Sequence, residues 1–421
     1  MSSQAIANSY SYRNVLTNNN FRLLWIGQLV SAFGDRLHQI ALLVLVGNLT
    51  ANNMEKVSLV WVSIGLPSLL LGLVAGALVD QWDRRKVLLV SDILRVPMAA
   101  SIPWLASINI SSIYIMALLI TAVTLFFRPA KQAIIPSIVP EESLLAANSL
   151  SSITDNIADI IGYPVAGLVI AGLSVASESS GIHLAFLIDA ATYGFSAWMI
   201  AMMSTDDSIS SGRKSSTSIS WRKLLGDIVI GLKVAFQNPY IRTNTILVTL
   251  AALIGAGANT LSYGYAAVVT NTGGFGYSLL EGAIGFGSVL GGLLVGRWGY
   301  RVRKGPVILC GLIVMGISTG VLAIIGNIWV AMFMLALSGV GNMMMLVPSV
   351  TLVQELCSKD VLGRIFSLRS MLLSLSIIIA NWLAGIGAQK IGVQNMWGLL
   401  GIALMLIGML GLLIKEAREA K

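Results

Sequence analysis

Apolar stretches long enough to cross a lipid bilayer recur about twelve times along this chain of 421 residues. That recurrence constrains the fold more than any motif does. A helix rises 1.5 Å per residue and needs roughly 20 mostly apolar residues to span the hydrocarbon. The sequence offers such stretches at 21–48, 57–79, 87–107, 112–127, 149–174, 183–203, 243–270, 278–299, 306–326, 328–352, 365–388 and 393–414. Inside a bilayer no water satisfies backbone groups, so each span must close its own hydrogen bonds as a helix. The expected fold class is an all-α polytopic membrane protein. Composition agrees, with 56% hydrophobic and only 11% charged residues, against roughly 25% charged in soluble domains. Residues 1–20 are polar and lack an apolar core with a cleavage site, so no removable signal peptide is expected.

The formal net charge is +8, and its distribution matters more than its size. All Lys and Arg residues except Lys56, Lys390, Arg36 and Arg95 are assigned to the termini or to loops after even-numbered spans. This bias predicts that both termini are cytoplasmic and that the chain lies in a cell (inner) membrane. No aromatic-interleaved basic surface supports nucleic acid as a partner. Two cysteines without paired spacing give neither a disulfide framework nor a metal site, and no cofactor is expected.

The longest polar interval, TDDSISSGRKSSTSISWRK at 205–223, falls near mid-chain. It predicts six-helix halves at 1–204 and 241–421, joined by a cytoplasmic linker at 205–240. Within the linker, Trp221, Leu224, Leu225, Ile228, Leu232 and Phe236 recur at helical spacing. They read either as an amphipathic helix on the membrane surface or as the start of span seven. The halves also share a motif. GALVDQWDRRK from Gly76 to Lys86 follows span two, and GLLVGRWGYR from Gly292 to Arg301 follows span eight, at one constant offset. Parallel repeats of six spans are a known transporter plan.

At these residues the chain resembles the major facilitator superfamily, and more narrowly its macrolide-efflux type of drug:proton antiporters. The narrower resemblance rests on Phe21 to Trp25, Gly34-Asp35, Asp92 to Arg95, Arg128 to Ala130, Pro136, Pro140 to Glu142, Ala147-Asn148, Phe186 to Ala190 and Gly363 to Ser367. It implies twelve transmembrane helices in two halves and transport by alternating access. It also implies a conformational latch. Asp80, following Gly76, would meet the start of span eleven at Gly363, Arg364 and Ser367, where a helix N-terminus favours a carboxylate. Arg84 and Arg85 would pair with Asp92. Gly296 replaces the acid in the second copy, so a single acidic latch is expected. Span five departs from the family's antiporter motif, with Tyr163 before Pro164.

Ionisable groups within spans are costly and tend to face a cavity or a partner. Gln28, Ser31, Asp35 and His38 recur at three- and four-residue steps and form one polar stripe on span one, with Arg36 offset from it. Span five carries Asn148, Ser152, Asp155, Asn156 and Asp159. Two buried carboxylates four residues apart share a face and resist joint ionisation. Asp155 or Asp159, together with Asp35, is therefore the candidate carrier of a coupling proton; the alternative is that both are solvated charges near a span end. Asp189 reads as an inter-helix hydrogen-bonding group. The second half offers Glu281 and a neutral lining that includes Asn244, Asn259, Tyr263 and Asn342. The candidate substrate cavity thus comprises Gln28, Ser31, Arg36, His38, Ser152, Asn156, Asn259, Tyr263 and Asn342. The glycine pairs Gly287/Gly291 and Gly292/Gly296 read as close-packing positions.

No G-x-x-x-x-G-K-[ST] loop is present, so ATP-driven transport by this chain is unsupported, and nothing points to an enzyme. The expected function is proton-coupled export of a lipophilic or amphipathic small molecule, drug-like or a secondary metabolite, neutral or cationic. The expected partners are that cargo, protons and the bilayer, with the protein acting as a monomer. Alternatives of the same fold are a lipid or lysolipid flippase and a siderophore or peptide exporter.

Overall fold

A computed structural model describes residues 12–79, 81–173, 178–204, 226, 231–298 and 302–420. Among them, 12 helices are long and apolar enough to cross a membrane. In chain order these are α1 Asn19–Leu49, α2 Met54–Gly72, α3 Arg84–Ile108, α4 Ile110–Ile138, α5 Glu141–Leu173 and α6 Gly181–Ala201. They continue with α7 Pro239–Val269, α8 Gly273–Arg297, α9 Lys304–Val321, α10 Ile328–Leu356, α11 Val361–Ile391 and α12 Val393–Gly411. The chain is thus an all-α, multi-pass membrane protein.

Local chemistry sets the helix starts. A helix leaves its first N–H groups without partners, and short polar side chains supply acceptors. Asp83 accepts from the Lys86 N–H at the start of α3, and Asn109 accepts from Ser111 at the start of α4. Asn238 accepts from Tyr240 and Ile241, with Pro239 in the first turn of α7, while Asn327 caps α10.

Two helices depart from the expected limits. α4 continues past 127 to Ile138 despite Pro129 and Pro136, because neighbouring helices can re-satisfy the groups a proline frees. Arg128 and Lys131 therefore lie within a span rather than in a loop. α5 already begins at Glu141 and is interrupted by a π turn at Ala158–Gly162. Arg369, assigned above with the loop cations, lies inside α11.

The chain forms two compact units: Met1–Leu42 with Leu70–Ile219, and Leu43–Leu69 with Ser220–Lys421. In the second, α8 and α10 approach at glycine. A Cβ at Gly287 would collide with the Ala336 carbonyl, and one at Gly339 with the Ile284 carbonyl. Gly291 packs likewise on Val340, whereas Gly292 and Gly296 have open space around them. The second glycine pair is therefore not a packing pair. Most of the proposed amphipathic helix (Trp221, Leu224, Leu225 and Ile228) lies outside the described residues. Residues 231–237 are helical, with Leu232 and Phe236 exposed and Ala235 buried against Ile241 and Leu368.

Candidate functional site

In the first unit, α1 and α6 are drawn together where α1 carries glycine. A Cβ at Gly34 would meet the Thr192 side chain and come within 2.8 Å of Asp189 Oδ1. One turn further along α1, His38 Nδ1 lies 2.8 Å from Asp189 Oδ2. Both side chains are buried, at 8% and 0% exposure, and the imidazole stands edge-on to Phe186. Asp35 accepts a hydrogen bond of 2.6 Å from the Tyr193 hydroxyl, also on α6.

α3 contributes a second buried pair. Asp92 and Arg95, one helical turn apart, form a salt bridge with both side chains buried. The Arg95 guanidinium lies 4.3 Å over the Tyr193 ring and 4.8 Å over that of Phe127. Tyr193 therefore links the two pairs, donating to Asp35 at its hydroxyl and offering its ring face to Arg95. The cluster assembles three carboxylates (Asp35, Asp92 and Asp189) around one guanidinium and one imidazole. Among the described residues, one oxygen each of Asp92 and Asp189 is buried without a hydrogen-bond partner.

α5 meets α1 and α4 along a different seam. Arg36 pairs with Asp159 at 2.6 Å, and the Tyr163 hydroxyl donates to Gln39 at 2.7 Å. Lys131 lies 3.6 Å from Asp155, and Trp25 donates to Thr154 at 2.7 Å. Asp155 and Asp159 are not a buried carboxylate pair, because their side chains are 61% and 46% exposed and each has its own cation. The regular α-helix ends at Ile157 and the π turn follows, so four-residue spacing no longer sets a shared face. Ser152 and Asn156 are exposed on this helix as well.

The remaining sequence candidates divide. Gln28 reaches Ser196 at 3.4 Å. Ser31 and His38 are buried rather than facing open space. Tyr263 is also buried; its hydroxyl donates to Asn52 at 3.1 Å, within the second unit. Asn259 and Asn342 are half-buried. Of the latch residues, Asp80 lies outside the described residues. Among the described residues nothing lies within 4 Å of where a Cβ at Gly76 or Gly363 would sit, and the Arg364 carbonyl packs against Gly231. Asp92 pairs with Arg95 and not with Arg84 or Arg85, because the three-residue step within one helix brings Arg95 alongside. Arg85 instead donates to the carbonyls of Ile200 and Ala201 at 3.2 and 2.7 Å, in the last turn of α6, where helix carbonyls run short of intrahelical donors. Sequence reasoning missed Tyr193 and Lys131. The four-residue step from Asp189 to Tyr193 was one signal; the true length of α4 was the other.

Twelve membrane-length helices, with charge clusters buried inside a helical unit, define a polytopic membrane transporter. The chain belongs to the transmembrane secretion effector family of the major facilitator superfamily, whose model matches residues 11–420. It is 27% identical over 408 residues to an uncharacterized MFS-type transporter, YfiS, of Bacillus subtilis, covering 94% of each chain. It is 24% identical to macrolide efflux protein A of Streptococcus pyogenes, covering 95% of this chain and 98% of that one. Its fold matches the crystal structure of a bacterial homologue of the iron transporter ferroportin, with a TM-score of 0.73 at 13% identity over 93% and 98% of the two chains.

Proposed function

We propose that this transporter exports a lipophilic or amphipathic small molecule by alternating access, in exchange for protons, with both termini cytoplasmic in the inner membrane. The single observation that carries the coupling is the acid excess of the α1–α3–α6 cluster. Three carboxylates there face two basic groups, the Arg95 guanidinium and the His38 imidazole. Burial penalises net charge, so an excess of acids inside the spans marks the place where a coupling proton would be carried. Asp35 keeps its candidate role, and Asp189 with His38 joins it. Asp155 and Asp159, each beside a cation and exposed, are instead assigned to the cargo path, where carboxylates favour neutral or cationic compounds. Support for export of such a cargo comes from the relative named for macrolide efflux, and the positive-inside bias of the loops supports the cytoplasmic placement of the termini.

The test uses purified protein in liposomes with an imposed pH gradient, a fluorescent macrolide as cargo and a trapped pH dye. Gradient-driven macrolide movement, with dye-reported proton flow in the opposite direction, is the expected outcome. Movement indifferent to the gradient removes the coupling, and no macrolide movement at all removes the cargo class.

A further inference from the structure

We propose that the second unit carries a binding site for a phosphate-type oxyanion, built around Arg369 on α11 and reached from the end at which α7 begins and α10 finishes. The site is separate from the proposed proton coupling and needs neither that mechanism nor a particular cargo.

Arg369 is 4% exposed. Its Nη2 donates to the Ser349 hydroxyl at 2.7 Å, and its Nη1 lies 3.5 Å from the Ser349 carbonyl. Among the described residues no carboxylate lies within ion-pair distance of it. Arg36 and Arg95 in the first unit differ in this respect, because Arg36 has Asp159 and Arg95 has Asp92. A guanidinium cannot shed its proton at any working pH, so Arg369 stays charged, and an uncompensated buried charge is strongly unfavourable. The two bonds to Ser349 leave most of its N–H fork unused. Nor does the Ser349 hydroxyl donate to any acceptor among the described residues, whereas Thr351 on the same helix bonds back to the Val347 carbonyl. A cationic fork and a spare hydroxyl donor side by side suit a phosphate or similar oxyanion.

Two surface openings lie near the site, the closer one reaching Asn244, which shares the Ser349 carbonyl with Arg369. A surface cleft of about 530 Å³ is lined by Tyr240, Arg303, Leu352, Leu356 and Glu419. A narrower cavity shares Tyr240 and Leu352 with it, reaches Asn244 and also carries Glu416; Arg369 and Ser349 line neither opening. Asn244 Nδ2 donates to the same Ser349 carbonyl at 3.1 Å, and its buried Oδ1 has no partner. Counting 1.5 Å per residue, Asn244 lies about 7 Å inside the start of α7 and Ser349 about 10 Å inside the end of α10. That depth matches the boundary between headgroups and acyl chains. Leucines flank the cleft, where Arg303 and Glu419 lie together, so the anion preference rests on Arg369 and the leucines leave room for an acyl tail.

The experiment measures thermal unfolding of the full-length detergent-purified protein, and its binding of fluorescent phosphatidylglycerol, for wild type, Arg369→Gln, Arg369→Lys and Ser349→Ala. Added inorganic phosphate and phosphatidylglycerol are compared with phosphatidylcholine. The site predicts a rise of several degrees in the wild-type melting temperature with phosphatidylglycerol, absent with phosphatidylcholine. It also predicts binding at least fivefold weaker in Arg369→Gln and an intermediate loss in Arg369→Lys and Ser349→Ala. A shift with inorganic phosphate alone, lost in the same variants, supports the site with the free ion as its occupant. Equal shifts in wild type and all variants, or no shift with either anion, overturn it. Should Arg369→Gln fail to fold, Arg369→Lys and Ser349→Ala still decide the outcome.

Discussion

His38 and Asp189 face each other across α1 and α6 at 2.8 Å, and both are buried. The approach depends on Gly34, because a larger residue there would strike Thr192 and crowd the Asp189 carboxylate. The pair thus owes its geometry to a residue with no chemistry of its own. Asp189 Oδ1 remains without a partner, so the carboxylate has capacity for one more donor. Removing either member leaves the other polar group stranded, which in buried pairs costs about 3–5 kcal/mol.

Asp189→Leu is accordingly expected to lower the thermal stability of the purified protein markedly. Asp189→Asn is expected to fold but to lose proton-driven cargo movement by at least tenfold. Melting curves and liposome flux measured side by side check both outcomes. Full coupled flux in Asp189→Asn would remove this carboxylate from the coupling cluster.

Arg36 and Asp159 form a partly exposed pair, with side chains 24% and 46% accessible. Exposed pairs contribute only about 0–1 kcal/mol to stability. Asp159→Asn should therefore unfold within a few degrees of wild type, while its preference for cationic over neutral cargo falls. Competition between a cationic and a neutral dye of similar size reports the change. An unaltered ratio would show that Asp159 does not face the cargo.

Gly287 and Gly292 differ by little more than one helical turn of α8 yet should respond oppositely to a side chain. Gly287→Leu drives its Cβ into the Ala336 carbonyl, and overpacking of this kind costs about 1–3 kcal/mol or more. Gly292→Leu meets open space and is expected to be neutral. Thermal unfolding of the two variants in detergent compares them directly.

Tyr263 donates to Asn52, and Asn52 itself adopts a left-handed backbone with φ of 57°. Asparagine tolerates that conformation far better than a β-branched residue does. Tyr263→Phe should cost about 1 kcal/mol through the lost bond. Asn52→Val should cost more, since it adds strain to the same loss. Unfolding temperatures that rank the two in reverse order would contradict this account.

Much of the fold was legible because its rules are local. Span length and the paired glycine motifs after α2 and α8 are both properties of neighbouring residues. The in-span charges Asp35, Arg36, His38 and Asp92 stood out for the same reason: each is costly in hydrocarbon and therefore conspicuous against an apolar background. Helix extent was less legible. Arg128 with Pro129 resembles the end of a span, but α4 runs on to Ile138 because packing compensates for the prolines.

The sequence by itself determined that the chain is a helical membrane protein of twelve spans and that costly charges lie within them, since bilayer thickness and backbone hydrogen bonding admit no other solution. Only the tertiary structure decided which charges meet. A helix presents residues all around its axis, and rotation within the bundle selects the partners. That rotation assigned Asp159 to Arg36 and His38 to Asp189, and it left Arg369 without a carboxylate among the described residues.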